Sequence, residues 1–332
     1  MNKMVWNLSK DLDQFEFGDS SARVTVWKDR EALFLKNMNG AFFLKEEIPY
    51  QAFSIQAEVA IPEEVGFIGF IFGSRDSSNF ELVYLGPFEI QYDPIMNGSM
   101  TWQIYHGPYY QTPLPDTTKV WRKFRIDVQE KGAWVYLDED PVPQLVIPNL
   151  QHGKRAGKIG FWNFVPVYIR ELTVEEIEPK AVDERTTDFD HLKAQSFVTE
   201  WVISEPYLGK ERPAESEWKH AFVEENGTLN VNRLYPASSG ATVQIQSTVA
   251  VAEEKSSVVS FGFSDHLRLW MNDEAVYDGS WNWSPPKHDG RIRPDFVSIP
   301  VSWQAGSNTI RAELSSNEKF GWGISLKTGL TE

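Results

Sequence analysis

Phe53-Ser-Ile-Gln-Ala-Glu-Val59 alternates apolar and polar side chains at every step, the period-2 pattern of a strand with one buried and one solvated face. The same pattern recurs outward from it. Arg23–Trp27, Lys123–Val128, Ala133–Leu137 and Val167–Val174 carry it through the first half, and Thr242–Val251, Val258–Phe263, Leu267–Met271 and Thr309–Leu314 through the second. Turn-forming residues separate the runs: Asn39-Gly40, Asp76-Ser-Ser-Asn79, Asn97-Gly98, Glu130-Lys-Gly132, Asn226-Gly227 and Ala305-Gly306. With no ten-residue helical period between the strands, the pattern predicts antiparallel sandwiches and excludes a βαβ fold.

A chain of 332 residues has room for two domains, each with its own core. Alternation stops between Glu175 and Ala194, where charge is dense, and Asp188–Ala194 is compatible with a single helical turn. The expected architecture is all-β: a first sandwich over 1–178, a short charged linker over 179–196, and a second sandwich over 197–332. No repeat at a 20–50-residue period is visible, which argues against a propeller or solenoid.

The net charge is −15, with 18 basic against 25 acidic groups in residues 1–180 and 14 against 22 in residues 181–332. Neither half is basic, so neither can gain the counterion release that drives binding to nucleic acid or the attraction that holds a protein on anionic lipid. There are no cysteines, which removes disulfides, thiolate metal sites and a cysteine nucleophile. The N-terminal Met-Asn-Lys-Met-Val-Trp-Asn-Leu-Ser-Lys-Asp turns polar before a secretory signal can develop, and no run approaches 18 apolar residues; a cytoplasmic location is the expectation. Sequons at Asn7, Asn97, Asn226 and Asn282 carry little weight without a secretory route. Aromatic residues make up 14% of the chain and include 13 tryptophans.

Gly69-Phe-Ile-Phe-Gly-Ser-Arg75-Asp-Ser-Ser-Asn79-Phe-Glu-Leu-Val-Tyr84 resembles the strand–turn–strand of concanavalin A-like (laminin-G-like) jelly rolls. Trp121-Arg-Lys-Phe-Arg-Ile-Asp-Val-Gln, Ala133-Trp-Val-Tyr136, Gly157-Lys-Ile-Gly-Phe-Trp162 and Tyr168-Ile-Arg-Glu-Leu-Thr-Val174 follow in the order of the closing strands of such domains. These include the bacterial 3-keto-disaccharide hydrolase-type members. The second half is similar to galactose-binding-like jelly rolls through Gly262-Phe-Ser-Asp265-His-Leu-Arg-Leu-Trp-Met-Asn272-Asp-Glu-Ala-Val-Tyr-Asp-Gly279, Ile299-Pro-Val-Ser-Trp-Gln-Ala-Gly306-Ser-Asn308-Thr-Ile and Phe320-Gly-Trp-Gly-Ile324. The motifs are strands and turns, so the resemblance implies fold and a carbohydrate setting more than an activity.

Retaining glycosidases of the concanavalin-like fold carry E-x-D-x-x-E on one strand, which this chain lacks. The nearest candidates are Glu89 and Asp93, which share a strand face about 13 Å apart at roughly 3.3 Å per residue. That is wider than the roughly 5–5.5 Å of retaining or 6.5–9.5 Å of inverting pairs. Glu81, on the preceding strand of the hairpin, approaches one of them only if the register allows. Gly262-Phe-Ser264-Asp-His lacks the closing glycine of a nucleophile elbow. Gly153-Lys-Arg-Ala-Gly157-Lys158 is one residue short of a phosphate loop. The six histidines show no zinc spacing. Asp138-Glu139-Asp140 before Pro141 reads as a hairpin turn first and a structural calcium site second. No cofactor is expected.

Sugars lay their apolar ring faces on Trp or Tyr while carboxylates, amides and Arg take the hydroxyls. Two aromatic clusters fit: Trp102, His106, Tyr109 and Tyr110 beyond an alternating strand, and Trp281 and Trp283 in a loop rich in Gly, Ser and Pro. Both have structural readings as cover for the sandwiches, whereas Trp121, Trp134, Trp270, Trp303 and Trp322 sit inside strand patterns and are expected in the cores. Arg75 is either a paired structural cation or a hydroxyl ligand. The preferred reading is recognition of an oligosaccharide or glycoside on a concave first-domain face. There Arg75, Glu81, Glu89 and Asp93 give polar contacts beside Trp102, His106, Tyr109 and Tyr110. The second domain, with Trp281 and Trp283, is then accessory. The alternatives are a glycoside hydrolase-like enzyme using Glu89, Asp93 or Glu81, and a structural protein without a ligand.

Overall fold

The computed structural model describes all residues except 1, 18–20, 37, 154–156, 184, 210–213, 215, 216, 331 and 332, so the centre of the phosphate-loop-like stretch lies outside the described residues. Strands take up about half of the described residues and helices only a few per cent, and every strand pairing among them is antiparallel. Two compact units form, the first from Met1–Ile95 and Tyr105–Arg185, the second from Met96–Ile104 and Thr186–Glu332.

In the first unit one sheet runs in the order Leu145–Ile147, Ala133–Leu137, Trp121–Val128, Phe53–Ala60, Val167–Glu176, Arg30–Leu35, Ala22–Trp27, with Lys3–Trp6 also paired to Val167–Glu176. The other runs Gln111–Pro113, Glu89–Tyr92, Asn79–Leu85, Phe67–Asp76, Lys158–Phe164, Gly40–Glu47, Phe15–Glu16. Neighbours in both sheets are often distant in sequence, as in a jelly roll whose chain crosses repeatedly between layers. Phe70 of one sheet stacks on Phe124 of the other at 5.2 Å, and both are completely buried. Burial of each such ring is worth about 1.5–3 kcal/mol relative to exposure.

The second unit pairs a six-stranded sheet, Lys219–Phe222, Glu200–Ile203, Ala241–Val251, Gly306–Ser316, His266–Met271, Glu274–Ser280, with a four-stranded one, Thr228–Asn230, Gly323–Lys327, Lys255–Ser264, Val297–Trp303. Val243, Leu269 and Leu314 from the first meet Phe261, Val301 and Ile324 from the second in one core. Trp201, Trp303 and Trp322 fill it, and the two last satisfy their indole N–H groups on Ser257 Oγ (2.8 Å) and Leu314 O (3.2 Å). The Asn272-Asp273 hairpin takes left-handed backbone at both residues, the conformation that matches strand twist.

One expectation changes. Trp121, Trp134 and Trp270 are only half-buried, because their neighbours Phe124 and Ile126, Val135, and Leu269 occupy the inward positions of the same strands and period-2 alternation turns the indoles outward. The 179–196 segment, expected as a charged linker, carries defined local structure. Lys180 N–H docks on Gln129 Oε1 at 2.8 Å. As expected from Asp188–Ala194, Phe189–Ala194 is a short helix capped by Asp188, with Leu192 in the second core. Among the described residues no helix is long and apolar enough to cross a membrane.

Candidate functional site

The register of the first unit decides where the carboxylates point. Val83 lies opposite both Phe70 and Tyr92, and Glu81 opposite Phe72, so Glu81 and Tyr92 face the core with Phe70. Glu89 and Gln91 alternate to the other face. Glu81 therefore does not share a face with Glu89, and the converging set expected from the sequence is not assembled around it. Glu81 is completely buried and accepts from the Tyr92 hydroxyl at 2.6 Å and from His152 N–H at 2.8 Å. Burial, reinforced by the Glu81 charge, raises the Tyr92 phenol well above its ordinary value. The pair fastens the Gln151–His152 turn, since Gln151 N–H also donates to Tyr92 Oη at 2.8 Å.

Asp93 is completely buried, and the Glu89 carboxylate accepts from the Gln111 amide. Arg75 is exposed and donates to His152 O at 2.6 Å; it lines a cavity of about 250 Å³ with Glu16, Glu47, Asp76 and Lys158, none of them a predicted ligand. Tyr110 is buried against Tyr92 and Tyr105. Tyr109 is 38% exposed, with the Arg185 guanidinium 4.0 Å from its ring centre. His106 is half-buried. Asp138 and Asp140 are occupied within their hairpin, by Arg122 at 2.8 Å and by Val142 N–H at 2.9 Å.

Trp102 belongs to the second unit, not to the first as the sequence boundary implies. The Met96–Ile104 segment turns at Asn97-Gly98, both left-handed. It is then held by backbone hydrogen bonds from Met100 N–H to Lys319 O (2.9 Å), from Gln103 N–H to Phe320 O (3.1 Å) and from Ile292 N–H to Gln103 O (2.8 Å). Gly290 has φ +69°, and a Cβ there would lie 2.3 Å from the Gln103 amide, so a larger residue would be both strained and crowded.

This arrangement places Trp102 5.6 Å from Phe320, and Phe320 6.0 Å from Trp283. Trp283 is 49% exposed and starts the Trp283–Ser284/His288–Asp289 hairpin. The Arg291 guanidinium lies 5.3 Å from the Trp102 ring, and the Glu318 carboxylate accepts Trp283 N–H (3.0 Å) and the Gln103 amide (3.2 Å). Trp281 instead packs against the second core: its ring lies tilted against Phe296, centres 3.9 Å apart, and its indole N–H donates to Arg291 O at 3.1 Å. Asp289 clamps the hairpin base through Arg293 at 2.9 and 2.5 Å; that pairing lowers its pKa to about 2. The result is a fixed aromatic surface, Trp102–Phe320–Trp283, edged by a carboxylate and a guanidinium. Phe320, Glu318 and Arg291 were hidden in the sequence, Phe320 because Phe320-Gly-Trp-Gly reads as a core strand.

No protein-family model matches the chain, and no curated protein matches it. Solved structures similar to parts of it include the carbohydrate-binding module CBM66 from Bacillus subtilis (11% identity, TM-score 0.40, covering 49% of this chain and 96% of that one). A Bacillus subtilis protein of unknown function with a galectin-like fold shares 12% identity, with a TM-score of 0.39 over 53% of this chain and 96% of that one. A Bacillus licheniformis beta-glucanase shares 10% identity, with a TM-score of 0.38 over 53% of this chain and 99% of that one.

Proposed function

We propose that this protein recognises carbohydrate without cleaving it, through the aromatic surface of its second unit. The observation that carries this reading is Trp283, a half-exposed indole on a clamped hairpin, continued by Phe320 and Trp102 and flanked by Glu318 and Arg291. Apolar sugar faces stack on such rings, and the charged edge supplies an acceptor and donors for hydroxyls. Because the rings are already held, little side-chain entropy is lost on binding. Binding is favoured over hydrolysis because Glu81 and Asp93 are withdrawn from solvent and Glu81 and Glu89 point to opposite faces of their sheet, so these acids form no proton-transfer pair.

Affinity electrophoresis through gels holding xylan, β-glucan, levan or galactan tests the reading. Retardation by at least one polysaccharide is expected, lost in Trp283→Ala, with no release of reducing ends. Unchanged migration in every gel contradicts binding, and reducing-end release contradicts the non-catalytic assignment.

A further inference from the structure

The outer face of the six-stranded sheet in the second unit holds a cavity of about 590 Å³ lined chiefly by Tyr207, Thr242, His266, Arg268, Glu313 and Ser315, a size typical of small-molecule sites. The strand register builds its floor. Thr242, Ser315, His266 and Ser280 lie side by side across four strands, and Gln244, Glu313, Arg268 and Asp278 form the adjoining row. Solvent-facing sheet positions are ordinarily polar, but these are not simply solvated: Gln244 is 6% and Glu313 7% exposed. Glu313 accepts from the Gln244 amide at 3.0 Å and the Tyr207 hydroxyl at 3.4 Å. Its second oxygen lies 3.8 Å from Arg268, which in turn holds Asp278 at 3.2 Å. His266 spans Ser280 (2.9 Å) and Asp278 (3.2 Å).

A carboxylate drawn out of water beside a guanidinium, with hydroxyl, imidazole and amide groups around them, presents donors and acceptors at neighbouring grid points. The charged groups are Glu313 and Asp278 against Arg268, with His266 beside them, so the cleft has no excess of positive charge to attract an anion. We propose that this cleft binds a neutral polyhydroxylated ligand, a sugar residue or polyol, with adjacent hydroxyls bridging Arg268 and Glu313. The cleft shares no lining residue with the Trp283 surface and stands even if that surface binds nothing.

The test is saturation-transfer NMR on the full chain with D-glucose, D-galactose, D-mannose and myo-inositol, and with D-glucuronate and inorganic phosphate as anionic probes. In a Trp283→Ala background, where the aromatic surface cannot report, at least one neutral probe is expected to saturate and to weaken at least tenfold when Arg268→Gln or Glu313→Gln is added. Circular dichroism accompanies both cleft variants; because Glu313 is buried, the half-exposed Arg268 position gives the variant that retains the fold. In that background, no saturable neutral probe, unchanged affinity on adding Arg268→Gln, or preferential binding of the anions would each overturn the proposal.

Discussion

Glu81 illustrates how one side chain changes meaning with its register. On sequence it is a possible catalytic acid; in the fold it is a core carboxylate that accepts two hydrogen bonds. Glu81→Gln would set an amide against one of two donors, and a buried group left mismatched costs about 1–3 kcal/mol; a lower urea midpoint with unchanged glycan retardation is expected. Asp265 is a second buried acid, completely inaccessible, accepting Ser264 Oγ (2.6 Å) and the N–H groups of Asn317 and Glu318. Burial raises it to about 6. Since this lies above the value in the unfolded chain, the group favours the fold fully below about pH 4, and that contribution is lost as pH rises through about 6. The thermal midpoint of the native chain, measured from pH 4 to 7, is therefore expected to fall relative to that of Asp265→Asn; parallel curves would refute the assignment. Neither role was legible beforehand, because which face a polar strand residue takes depends on a partner strand that local alternation does not name.

At the scale of elements the sequence was more informative. Ala133–Leu137 agrees with its expected bounds, and Arg23–Trp27, Thr242–Val251 and Leu267–Met271 each lack only one residue, because period-2 patterning and Asn-Gly-type turns act locally. Trp121, Trp134 and Trp270 are large apolar side chains whose own strands' alternation turns them outward, so hydrophobicity alone points them to the wrong face. The sequence predicts a loop around Trp283 but not its clamp, because the Asp289–Arg293 pairing is a property of the folded turn. In Asp289→Asn the charge-assisted pairing with Arg293 is lost. The expected outcome is faster amide exchange confined to residues 281–293 and weaker glycan retardation; unchanged exchange would show that the clamp is dispensable.

For the molecule as a whole, chain order and spatial order differ: Met96–Ile104 is early in sequence yet part of the second unit. Sequence composition offers no signal for this, since its anchors are backbone groups of Lys319, Phe320 and Ile292. A fragment spanning 186–332 lacks those partners and is expected to melt a few degrees below the second unit of the full chain, at about 2–4 °C per kcal/mol for a domain of this size. The net charge of −15 is spread over both halves and serves solubility, so affinity for a neutral glycan should be insensitive to salt. The central claim is that the Trp283 surface binds sugar. Isothermal titration of the full chain with the oligosaccharide corresponding to the retarding polysaccharide tests it most directly. Saturable binding that weakens roughly 30-fold in Trp283→Ala, about 2 kcal/mol as for a central aromatic anchor, is expected; equal affinity of the two proteins would contradict it.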